Sequence, residues 1–221
     1  MSRIDNWFSE KPRPRPAEIA CFLAGDRFWK DERRRLIATH PDWPDAAYLL
    51  DLNEELAHAL VLVLSRLPAP GRRDFADAFY SERHGGAESV PEDPHRRLGL
   101  AAAVVLDVLD SVDDRTATFD DRTLDLLRGA AQGDDLTRTP APAVDALRRT
   151  IARIRFDPAF EDPADPRGAA AFAVAEVLDP AGEVVDFKEV LARSAWAVVE
   201  TREPPAVLRF LLDVDRLLAV A

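Results

Sequence analysis

The sequence predicts an all-α protein, a multi-helix bundle of about eight or nine helices, and three observations carry that reading. Apolar residues recur at spacings of three and four: Leu49, Leu52, Leu56, Leu60, Val63 and Leu67 trace one face of a helix over 44–67. Helix starts are marked twice by Asp-Pro, at Asp93-Pro94 and Asp165-Pro166. The Asp caps free amides there, and the Pro occupies the first helical position, where its missing N–H is no loss. Seventeen prolines supply the breaks between segments.

Taken in order, helices are expected over about 17–38, 44–67, 71–82, 94–112, 120–131, 142–155, 166–178, 186–200 and 204–219. The 94–112 helix is apolar nearly all round between Leu100 and Leu106, which makes it the expected central helix. Two short apolar runs around Asp-Pro-Ala-Gly in 172–187 leave a β-hairpin as the alternative to helix, turn, helix. The alanines at 169–171 favour the first helix, and Asp186 with Glu189 forms a capping box for the second. "SERHGGAESVPEDP", 81–94, is a long polar connection of the kind that is either functional or disordered. "SVDDRTATFDDRT", 111–123, repeats Asp-Asp-Arg-Thr, too briefly for a solenoid. It is the natural seam in a chain divided into an N-terminal arm (1–16), an N-terminal helical half (17–113) and a C-terminal helical half (114–221), the two halves together making one domain or two.

Composition excludes several classes. The net charge of −11 is spread evenly: residues 1–113 carry 15 Lys and Arg against 20 Asp and Glu, and the remainder 14 against 20. The average field repels a phosphate backbone, which argues against nucleic acid as a partner. No window approaches the roughly 18–20 uninterrupted apolar residues of a membrane span. The single cysteine, Cys21, cannot form an internal disulfide, and "MSRIDNWFSEKPRPRP" lacks the apolar core of a secretory signal, so a cytoplasmic location is expected. A Walker loop, a dinucleotide-binding glycine pattern and a nucleophile elbow are all missing.

What chemistry remains is sparse. Glu55 and His58, at i and i+3 on one helix, have the spacing by which a helical bundle supplies two ligands to zinc or iron. Glu92 and His95 repeat the letters, but with Asp93-Pro94 between them Glu92 falls outside the helix and the pair cannot share a face. Neighbouring Asp51, Glu55, His58 and Leu62 also form the polar boundary stripe that an amphipathic helix carries in any case. A three-histidine zinc site drawn from His40, His58, His84 and His95 is the variant, all four lying in the first half with Cys21.

In "RRRLIATH", Arg35 stands five residues before His40. This is similar to the Arg-x4-His motif of the HEPN ribonucleases, also all-α, and the resemblance implies that Arg35 and His40 act together on an RNA phosphate and ribose hydroxyl, usually across a dimer. It covers six residues of 221, in an early helix where the family carries the motif late. An exposed basic helix end gives the same letters. Arg148, Arg149, Arg153 and Arg155 similarly form either a basic strip or a solvated face paired with local carboxylates. The "KPRPRP" arm reads as a spacer joining Ile4, Trp7 and Phe8 to the body.

The expected role is therefore protein binding, as an adaptor, regulator or immunity-type partner, with helix faces and the 81–94 loop as contact surface. An acidic chain favours a basic partner through steering. A metal-dependent enzyme using His58 with other histidines, or a HEPN-like ribonuclease, is the alternative, and the oligomeric state is not legible.

Overall fold

The computed structural model describes residues 52–109, 119, 121–134, 145, 149, 150, 152, 166–178 and 185–220. Among them are seven α-helices and no strand: α1 (Glu54–Arg66), α2 (Ala69–Glu82), α3 (Pro94–Leu109), α4 (Asp121–Ala131), α5 (Pro166–Leu178), α6 (Phe187–Thr201) and α7 (Pro204–Val220). The all-α expectation holds for this part of the chain. The helix expected over 17–38 lies outside the described residues, and that over 142–155 lies largely outside them.

Side-chain caps set three of the helix starts. Asn53 Oδ1 accepts from the amides of Glu55 at 3.0 Å and Leu56 at 3.2 Å. Asp93 Oδ1 accepts from His95 at 2.8 Å and Arg96 at 3.1 Å, and Asp186 Oδ1 from Glu189 at 3.2 Å. Each satisfies amides that a first turn leaves open. The expected 44–67 helix is thus corrected at its start, because Asn53 is a non-helical cap and α1 begins at Glu54. Its end follows from Pro68: the ring disfavours helical backbone at the preceding residue, and Leu67 is extended, with ψ 148°. α4 closes in a Schellman turn, with Gly133 at φ 91° and the Asp134 amide on the Gly129 carbonyl at 2.9 Å.

The core lies around α6, which packs against α5, α1, α3 and α7. α3 was the expected centre, and it does touch α4, α6, α5 and α7, but α6 is the more thoroughly enclosed. Its Val190, Leu191, Ala195, Trp196, Ala197 and Val198 are all buried. The alanines of α5 let its backbone approach α6 closely, and Arg193 of α6 lies 4.8 Å above the Phe172 ring of α5. Since Phe172–Leu178 is helical, the two apolar runs of 172–187 do not form a hairpin. Buried residues from both sides of the 111–123 stretch belong to one continuous cluster. At the α1 end, Arg66 binds Glu200 of α6 through Nε at 2.9 Å and covers the Trp196 ring at 4.7 Å.

α7 shows the period-3.6 pattern clearly, with Val207, Phe210, Leu211, Val214 and Leu218 buried. Asp215 falls on the same stripe and is also buried, at 1% exposure. No helix among the described residues is long and apolar enough to cross a membrane.

Candidate contact cleft

The connection between α2 and α3, residues 83–93, is held in place by α7. Asp215 Oδ2 accepts from the amides of His84 at 2.6 Å and Gly85 at 3.0 Å, and Oδ1 accepts from Gly86 at 3.0 Å. Arg83 Nε stands 3.9 Å from Oδ1, and the Ala87 amide reaches the Leu218 carbonyl at 3.4 Å. Two glycines make the approach feasible. Gly85 has φ 75°, and a Cβ on Gly86 would sit 2.7 Å from the Asp215 carbonyl oxygen. The long polar connection is therefore an ordered loop, tied further by buried Val90 and by Arg97 Nε, which donates to the Pro91 carbonyl at 3.1 Å.

Beyond the glycines, the same loop forms one wall of a cleft of about 470 Å³. Ser89, Val90 and Glu92 come from the loop, Glu55 from the first turn of α1, and Arg97 from α3. Val185, Asp186, Phe187 and Lys188 come from the entry to α6. Val90 and Phe187 are buried apolar lining, whereas Ser89, Glu92 and Asp186 are exposed. Glu55 is only half exposed. Burial raises its carboxyl above the usual range, its own backbone amide pulls the other way, and neighbouring Glu54 adds to the rise. Lys188 and Asn53 also lower it, less than burial lifts it.

Of the metal candidates, Glu55 lines this cleft together with Glu92, but none of the described histidines does. His58 is buried in α1, with Nδ1 2.5 Å from the Glu54 carbonyl oxygen. A carbonyl only accepts, so the proton sits on Nδ1. His84 is exposed on the loop and His95 is exposed in the first turn of α3, while Glu92 precedes that helix and lines the cleft. Among the described residues no three His, Cys, Asp or Glu side chains are grouped so as to hold a metal ion. The boundary-stripe reading of α1 needs correction too: His58 and Leu62 are inside the core, because α1 has neighbours on several sides. Arg35, His40 and Cys21 lie outside the described residues, as do Ile4, Trp7 and Phe8. Of the arginine strip only Arg149 is described, and it is exposed.

Sequence reasoning singled out the loop and Glu55 but missed Asp215, Arg97 and Lys188. Asp215 carried a usable signal: it stands four residues after Leu211 and eight after Val207, on an otherwise apolar stripe. No protein-family description, curated protein or solved structure matches the chain.

Proposed function

We propose that this is a cytoplasmic protein-binding module, an adaptor, regulator or immunity-type partner, that receives a basic segment of another protein at the cleft between the 83–93 loop and the start of α6. The observation that carries the reading is the loop itself. Of its eleven consecutive residues without helix, 84–86 are held by a buried carboxylate, Ala87 by the Leu218 carbonyl and Pro91 by Arg97, which leaves little ordering cost for a partner to meet. The cleft beside it presents Glu55, Glu92 and Asp186 over an apolar lining of Val90 and Phe187. An Arg or Lys side chain suits such a place, with its stem on the apolar surface and its head among the carboxylates. Glu55 adds support, since a carboxylate kept partly out of water within a cleft is a recurrent mark of a functional position. Arg97 and Lys188 interrupt the negative charge and favour a segment with a defined charge order over any basic chain.

The test is affinity capture from cell extract by the full chain and by Glu92→Arg, at ionic strengths from about 50 mM to about 500 mM. A protein retained by the wild type at low salt, lost from Glu92→Arg and progressively lost with salt, supports the reading. Retention that ignores both changes removes the cleft and the charge from the account.

A further inference from the structure

The feature the contact reading leaves unexplained is why α7 carries a carboxylate on its apolar stripe. A buried ionised side chain is costly unless its lone pairs are met, and a leucine would serve the packing of α7 on α2 as well. What a leucine cannot supply is an acceptor for three successive amides. Backbone N–H groups from consecutive residues, with a glycine in the left-handed region, form the concave cradle that binds anions. Here His84, Gly85 and Gly86 make that cradle, and its anion is the Asp215 side chain of the same chain. The fit is close on the far side too, because Gly86 lies against the Asp215 carbonyl with no room for a Cβ.

We infer that Asp215 is an intramolecular anion seated in the 84–86 backbone cradle, and that through it α7 positions the wall of the contact cleft. Two residues, Ala87 and Glu88, separate Gly86 from the first wall residue, Ser89. The Ala87 amide on the Leu218 carbonyl extends the hold of α7 by one residue, and the next ties come with Val90 and the Pro91 carbonyl. Asp215 is thus a positioning residue, touching no partner itself. The inference rests on the cleft being the contact site only for its functional meaning; the latch is a property of the chain alone.

Amide exchange and chemical shifts on the full chain test it with three variants. Asp215→Asn keeps the shape but turns one acceptor into a donor, and should speed exchange at residues 84–86 by about tenfold or more while the amides of α5 stay protected. Signals of Ser89, Val90 and Glu92 should shift with them. Asp215→Ala should behave alike and, because the cradle is then open to a small anion, added formate should restore part of the protection where chloride at equal ionic strength does not. Gly86→Ala leaves the carboxylate in place and should lift the loop by steric pressure, giving the same cleft shifts. Faster exchange at 84–86 with unmoved signals at 89–92 would overturn the inference, since the latch would then be local. Formate without effect on Asp215→Ala would overturn the anion cradle. Should every variant unfold the whole chain, the loop is no separable device and the inference fails. None of these outcomes depends on partner capture, so the contact reading and the latch fail independently.

Discussion

Arg202, the residue that closes α6, donates from Nη1 to Asp107 Oδ2 at 3.2 Å and from Nη2 to the Asp107 carbonyl at 2.5 Å, tying the end of α6 to α3 with one guanidinium. The planar fork reaches side chain and backbone of the same residue, a geometry an ammonium cannot reproduce. Asp107 is partly exposed, which weakens the ionic share, so Arg202→Ala is expected to cost about 1–2 kcal/mol in urea unfolding. Arg202→Lys should recover less than half. Equal stability of Lys and wild type would show that charge alone holds the pair.

Glu55 gives stability an unusual pH dependence. Its unfolded carboxyl titrates near the ordinary 4.5, and burial raises the folded one. Between those two values the native state holds more protons than the unfolded chain, so stability declines as pH rises through the window and stays lower above it. Glu55→Gln carries a neutral group at every pH. It should melt above the wild type at about pH 7 and converge with it once the pH drops below the unfolded value. A Gln variant that melts lower at neutral pH would mean Lys188 and Asn53 outweigh burial.

Asp93 acts with the opposite sign. The amides of Arg96 and His95 hold its carboxyl below the usual 3.8. Its contribution is present above 3.8 and is lost as pH falls through the lower folded value. Asp93→Ala should therefore lower the melting temperature at neutral pH, and the deficit should close in acid. A deficit unchanged down to about pH 2 would point to helix propensity instead of the cap.

Two glycines of the bundle respond oppositely to alanine. Gly133 is left-handed in the Schellman turn after α4, so Gly133→Ala should destabilise by about 1–2 kcal/mol. Gly71 is helical with nothing within 4 Å of an added Cβ, and Gly71→Ala should stabilise by about 0.5–1 kcal/mol. Thermal melts of the two single variants check both signs.

Most helix starts were legible because they are written in local chemistry. Asp93-Pro94, Pro166 and Asp186 with Glu189 place α3, α5 and α6 within a residue of the expectation. The start of α1 was not, because the leucine repeat runs across Asn53 without a break, and only the cap geometry shows that Leu52 precedes the helix. The burial of His58 was hidden for another reason. Whether a polar residue beside an apolar stripe meets water depends on how many helices surround it, and a single sequence shows one helix at a time. Glu55 and the loop could be named from spacing and composition, but the cleft joins residues 55, 89, 90, 92, 97 and 185–188, and no local pattern links those positions. The place of Asp215 emerges only when its amide partners, some 130 residues earlier, are set against it.

That separation has a consequence during synthesis. At about 5–20 residues per second a ribosome needs on the order of ten seconds to travel from Gly85 to Asp215. For that interval the amides of residues 84–86 have no carboxylate to meet, and the wall of the cleft is without its hold on α7. The loop therefore takes up its held position only once α7 has been made, long after the residues of the loop itself.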